Sequence, residues 1–205
     1  MSVFRAHAIT AVAVMSLAAL AGCTSSVPAE KSDAAGQTLP ARWWNWAAAA
    51  PKVSDPISDT TGKWCGENQP TDVWFLAGTF GDGPVSRTCA VPTGTPVYFP
   101  VLKQFCEPGS GQSAAEALAD CQISPDLAEV LLDGKPVTAK DATSGGTFRL
   151  KPNKDSALTG PDPIDVVAVG LWAGPLTLDP GRHTLSIHGK SGDFEVEVTY
   201  QLTVA

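Results

Sequence analysis

Histidine is scarce in this chain, with three in 205 residues, and His7 falls in an N-terminal apolar leader. The remaining two, His183 and His188, are five positions apart, which on a strand puts them on opposite faces and prevents them from sharing a metal. No Gly-x-Ser-x-Gly, His-Glu-x-x-His or Ser-x-x-Lys occurs, so the signatures of serine hydrolases, zinc proteases and β-lactamase-like enzymes are missing. No Gly-rich phosphate loop is present. Basic residues are outnumbered, 14 Lys+Arg against 21 Asp+Glu for a formal net charge of −7, which disfavours nucleic acid and anionic lipid as partners. The apolar run from Ala8 to Leu20 is about 13 residues, long enough for a signal core and too short to span a bilayer.

That leader is the first thing present rather than absent. Arg5 lies in a short polar start, and the apolar run ends in Leu20-Ala21-Gly22 directly before Cys23. The ending resembles the lipobox of bacterial lipoproteins. The resemblance implies lipidation of Cys23, removal of residues 1–22, and a palmitate-type acyl anchor in the cell membrane with the domain on the extracytoplasmic face. Such an anchor is physically adequate, because each buried acyl CH₂ contributes about 0.8 kcal/mol and two or more chains hold stably. Residues 24–40 are small, polar and aperiodic, so 23–40 reads as a flexible tether and 41–205 as a single domain.

With Cys23 acylated, four cysteines remain: Cys65, Cys89, Cys106 and Cys121. An even number in an exported protein reads as two disulfides, and Cys65–Cys89 and Cys106–Cys121 are favoured because each closes a short loop. The rival, a four-thiolate zinc site, would need C-x₂-C spacing that is missing. No metal and no cofactor is expected.

The domain opens on Arg42-Trp43-Trp44-Asn45-Trp46 and four alanines before Pro51. Trp43, Trp46, Ala47 and Ala50 share one helical face, which is expected to pack over an open side of the core. Trp44 lies off that face, so it is the indole expected to be exposed and the candidate ligand contact. Beyond it the pattern is mainly β, since scattered prolines leave little room for long helices. Strands are expected at Asp72–Gly78, Arg87–Val91, Pro96–Leu102, Ala128–Leu132, Thr147–Leu150, Arg182–His188 and Phe194–Val204. Val166–Leu178 is expected in pieces, broken by Gly170, Gly174 and Pro175. Pro100 cannot donate to a ladder, so its strand must lie at an edge or carry a bulge. Ser113-Ala114-Ala115-Glu116 matches a capping box that starts a helical insert, and Asp133-Gly134 is a hairpin signal. About nine strands with frequent turns indicate an antiparallel β-sandwich, Ig-like or jelly-roll, with short helical inserts.

Two stretches are familiar together. One runs from the Trp43–Trp46 cluster through Asp59-Thr60-Thr61-Gly62, Cys65 and Val73–Gly81 to Arg87–Pro92 and Val97–Val101. The other is Leu178–Leu185 with Val198–Val204. They resemble a family of uncharacterised bacterial secreted proteins over most of residues 41–205, a resemblance that brings no activity and no functional residue with it.

One carboxylate pair invites a catalytic reading. Glu195 and Glu197 share a strand face at about 6.5–7 Å, within the separation of inverting glycosidases. Their neighbours Thr199, Gln201 and Thr203 form an ordinary solvated face, and no substrate cleft is marked in sequence. Asp55, Asp59, Asp72, Asp82, Asp162 and Asp165 sit in or near turns without EF-hand spacing and are expected to serve the backbone. No catalytic residue is assigned. The expectation is a non-enzymatic, lipid-anchored binding or envelope-structure module whose partner is an envelope glycan or protein. Its contacts are expected at Trp44 and the loops Gly81–Pro84 and Gly109–Gln112. The alternative is an enzyme acting on envelope polysaccharide through Glu195 and Glu197.

Overall fold

The computed structural model describes residues 36–205; the leader, Cys23 and the first part of the tether lie outside the described residues. The described residues belong to one compact unit. Among the described residues it is mainly β, with two sheets and two α-helices. Among the described residues no helix is long and apolar enough to cross a membrane.

Helix α1 (Leu39–Ala49) begins two residues inside the expected tether, with Pro40 in its first turn, where a missing N–H costs nothing. The expected apolar face is there, but burial extends further: Ala41, Trp44 and Ala48 are covered as well. Alanine on the remaining positions lets the helix lie close to its neighbours. The Trp43 indole donates to the Leu76 carbonyl at 2.9 Å and that of Trp46 to the Glu67 carbonyl at 2.9 Å, so two indole dipoles fix the helix to the chain crossing beneath it.

The strands are β1 (Trp74–Phe75), β2 (Val85–Val91), β3 (Val97–Cys106), β4 (Leu127–Leu132), β5 (Lys135–Pro136), β6 (Lys140–Thr143), β7 (Phe148–Leu150), β8 (Ile164–Leu176), β9 (Gly181–Ser191) and β10 (Phe194–Val204). One sheet runs β1-β3-β8-β6, with β7 also on β8; the other runs β2-β10-β9-β4-β5. Helix α2 (Ala114–Asp120) follows β3.

Three expectations change. First, the sheets are not purely antiparallel: β1 pairs with β3 and β2 with β10 in parallel. The chain leaves the first sheet after Phe75, forms β2 in the second and returns as β3, and such a crossover permits parallel neighbours where a tight hairpin does not. Second, the apolar run from Asp72 to Gly78 yields a ladder of only two residues; beyond it the carbonyls of Ala77 and Gly78 turn to a side chain, Arg87. Third, β8 is one continuous strand of 13 residues rather than fragments. Its glycines are there for close approach: a Cβ on Gly170 would lie 2.5 Å from the Leu102 carbonyl oxygen, and one on Gly174 2.4 Å from that of Val97.

Other features follow the sequence. The β3 ladder slips between Pro100 and Leu102, the bulge that Pro100 requires. Asp133 and Gly134 both take positive φ, 51° and 74°, as a two-residue hairpin demands. Ser113 and Glu116 exchange both bonds of the capping box. Both disulfides form in the favoured pairing, Cys65–Cys89 and Cys106–Cys121.

Two apolar clusters hold these layers together. Val97, Phe99 and Val101 of β3 meet Leu185 and Ile187 of β9 and Val196, Val198, Tyr200 and Leu202 of β10 in one. Trp43, Trp44 and Trp46 of α1 meet Phe75, Tyr98, Val166, Ala168 and Trp172 in the other, on the opposite face of the first sheet.

Candidate ligand-binding site

The β3 strand, the segment after α2 and the β9–β10 hairpin meet around a cavity of about 270 Å³. β3 contributes Leu102, Lys103 and Gln104, the post-helix segment Gln122 and Ile123, and the hairpin Ser191 and Phe194. A second cavity of about 150 Å³ shares Gln122 and Ile123 and continues to Asp141–Thr143 and Val169–Leu171. Both exist because Cys106–Cys121 ties the end of β3 to the end of α2 and sets the course of the chain that follows.

The polar groups of the first cavity are oriented. Gln104 Nε2 is 3.2 Å from Cys106 Sγ, and Gln122 Nε2 donates to the carbonyls of Leu118 (3.0 Å) and Ala119 (2.9 Å). The Ser191 hydroxyl donates to the Ser124 carbonyl at 2.8 Å. With those donors engaged, the lining keeps the amide oxygens of Gln104 and Gln122 and the lone pairs of Ser191 as acceptors, together with Lys103 as a donor and the Phe194 ring as an apolar surface. This lining suits a small molecule rich in hydroxyl donors with one apolar face.

The structure separates the residues singled out from sequence. Trp44 is only 5 % exposed, its ring edge-on to Phe105 at 4.9 Å, so its expected exposure is corrected. The physical reason is Phe105, which extends β3 under the helix and covers what a face count on α1 alone leaves open. The Gly81–Pro84 loop borders the cavity wall, since a Cβ on Gly81 would lie 3.2 Å from the Phe194 ring. Gly109–Gln112 instead forms a separate, wide groove with Glu116, Ala119 and Asp120.

Glu195 is bonded to His188 Nε2 at 2.7 Å, with Lys190 at 3.8 Å. The His188 bond, then the Lys190 charge, holds its carboxyl below the usual range. A catalytic acid needs the opposite shift. His183 is clamped between Asp133 Oδ2 and the Asp179 carbonyl, both at 2.8 Å, at the β4–β5 turn. Asp55 accepts from Ile57 and Ser58, Asp59 from Thr61 and Trp64, and Asp72 pairs with Arg42, the local backbone and ion-pair roles turn aspartates usually have. Burial raises the Asp59 pKa, but the N–H groups of Trp64 and Thr61 outweigh it and the net shift is downward. Among the described residues no group of three or more His, Cys, Asp or Glu side chains is placed to hold a metal ion.

Two residues escaped sequence reasoning. Arg87 is 1 % exposed, and its guanidinium donates to the carbonyls of Ile57, Asp59, Ala77 and Gly78 and to the Tyr200 hydroxyl. The signal was its place in Val85-x-Arg87-x-Cys89-x-Val91, on the apolar side of the alternation. Lys103 lies in a strand that is otherwise apolar up to that point, and its ammonium sits over the indoles of Trp43 and Trp44 at 5.1 and 5.6 Å from the ring centroids. Burial and the Arg87 charge push its pKa down to about 8. No protein-family model, curated protein or solved structure matches the chain. What the site can do is therefore read from its own residues.

Proposed function

We propose that this protein is a lipid-anchored binding module on the extracytoplasmic face of a bacterial cell membrane, related to the uncharacterised secreted proteins it resembles. Its two sheets pack as a β-sandwich of Ig-like or jelly-roll type, and it acts without catalysis on an envelope glycan. The observation that supports binding is the cavity beside Phe194: hydroxyls of a sugar find Lys103, Gln104, Gln122 and Ser191, and its apolar face finds the ring. The anchor rests on Leu20-Ala21-Gly22-Cys23, and the oxidising compartment on the pair of disulfides.

The test is thermal stabilisation of the oxidised protein by peptidoglycan fragments and envelope glycans, since a ligand that binds only the native state raises its stability. A saturable shift that is lost in Ile123→Trp, which fills the cavity, is the expected result. No shift with any glycan would sink this reading and turn attention to an envelope protein, sought by cross-linking in intact cells. For the anchor, Cys23→Ala should leave the precursor uncleaved or release the protein to the medium. Unchanged processing and membrane retention would refute it.

A further inference from the structure

The ligand of the cavity beside Phe194 is specified further by charge. Lys103 is the only ionisable side chain in the lining. Its Nζ, over the indoles of Trp43 and Trp44, also lies toward the β9–β10 hairpin. A Cβ on Gly78 would be 3.7 Å from that nitrogen and 3.3 Å from Val196 Cγ1, just as one on Gly81 would be 3.2 Å from the Phe194 ring. Val196 and Phe194 share a face of β10, about 6.5–7 Å apart along the strand. The segment Gly78–Gly81 thus runs beside β10 with the ammonium at one end and the aromatic ring of the cavity at the other.

The ammonium makes no hydrogen bond or ion pair among the described residues. Burial and then Arg87 disfavour its charge, and Asp55 offsets them only in part. The carboxylate of the neighbouring cavity, Asp141, stands on β6, two strands away from β3. Indole faces attract a cation, yet its three N–H bonds remain to be given. A neutral sugar offers them a hydroxyl and leaves the charge as it is. A carboxylate offers an acceptor and the missing charge together. We infer that the glycan taken by this cavity is acidic, a uronic acid or other carboxylated sugar, with its carboxylate on Lys103 and its apolar face on Phe194. This rests on the glycan reading of the same cavity and adds the charge of the ligand.

The experiment titrates the oxidised protein calorimetrically at pH 7 and constant ionic strength with matched sugars. Glucuronate is compared with glucose, galacturonate with galactose, and N-acetylmuramic acid with N-acetylglucosamine, so that within each pair only the acid group is added. The expected result is that the acid of at least one pair binds about tenfold tighter than its neutral partner. Lys103→Met keeps the stem against the indoles and should erase that difference, and Ile123→Trp should abolish binding of both members. Neutral sugars that bind as tightly as their acids overturn the acidic ligand and leave the glycan reading standing. A difference that persists in Lys103→Met overturns the role of the lysine. Binding of none of the six removes the glycan reading and this inference with it. Should Lys103→Met fail to fold, the comparison within each pair on the wild-type protein still decides.

Discussion

Arg87 and Tyr200 face one another across the parallel β2–β10 pair, with the guanidinium donating to the tyrosine hydroxyl at 2.8 Å in a fully buried setting. The hydroxyl passes its own proton to the Ala77 carbonyl and accepts the Ala77 N–H, so one side chain from the last strand satisfies a segment 123 positions earlier. No carboxylate takes part; neutral carbonyls solvate the cation.

Tyr200→Phe should therefore cost about 1–3 kcal/mol, because it strands the Ala77 N–H in the interior and takes one acceptor from Arg87. Arg87→Met should cost about 3–5 kcal/mol, since it leaves the carbonyls of Ile57, Asp59 and Gly78 without the donor they have. Urea unfolding of both variants tests this, and a loss under about 1 kcal/mol in Arg87→Met would mean the network contributes little.

The disulfides span 24 and 15 residues. Loop-closure entropy gives each about 3 kcal/mol. Replacing Cys106 and Cys121 together by alanine should cost about that much and also weaken ligand response at the cavity, because Gln122 and Ile123 follow directly. Replacing Cys65 and Cys89 should lower stability by a similar amount and leave the cavity intact. Equal cavity effects in both double variants would contradict the staple role.

The His183 ring has both nitrogens against acceptors, the Asp133 carboxylate and the Asp179 carbonyl, so both must donate and the ring is held as imidazolium. The Asp133 bond, then the Asp179 bond, raises its pKa, and the His183 bond lowers that of Asp133. A raised histidine stabilises fully below its unfolded value, about 6.5, and the gain is lost as pH rises through the folded value. A lowered aspartate stabilises above its unfolded value, about 3.9, and the gain is lost as pH falls through the folded value. The pair is thus most useful between the two, and being partly exposed its effect is small. The stability gap between wild type and His183→Gln should be wider at about pH 5.5 than at about pH 8.5, either side of the unfolded histidine value; an equal gap refutes the charged ring.

Trp43 and Trp44 are adjacent, both buried, and differ in one bond. The Trp43 N–H is satisfied by Leu76, whereas that of Trp44 has no partner among the described residues. Trp43→Phe should cost at least about 1 kcal/mol more than Trp44→Phe, because only the first strands a buried carbonyl, that of Leu76. Thermal unfolding of the two variants decides it.

The periodic parts of the fold are legible in the sequence. The alternation from Phe194 to Val204 places its apolar side in the core along its length, and Ser113–Glu116 and Asp133-Gly134 announce their own geometry through local hydrogen bonds and permitted dihedrals. The cysteine pairing follows from short loops. Other features depend on partners distant in the chain. Trp44 is buried by Phe105, β8 stays whole because Gly170 and Gly174 meet the backbone of β3, and Glu195 meets His188 only through the β9–β10 register.

The sequence alone determined a β-rich chain, its disulfide framework, its helix caps and its tight turns, because each is settled by residues within a few positions or by a two-fold period. The tertiary structure alone decided which strands run parallel, where the cavity lies, that Arg87 is solvated by carbonyls and that Lys103 lies over the indoles of Trp43 and Trp44. Those depend on which distant surfaces pack together, and hydrophobic burial, being non-directional, requires that they pack without naming the partners in the local sequence.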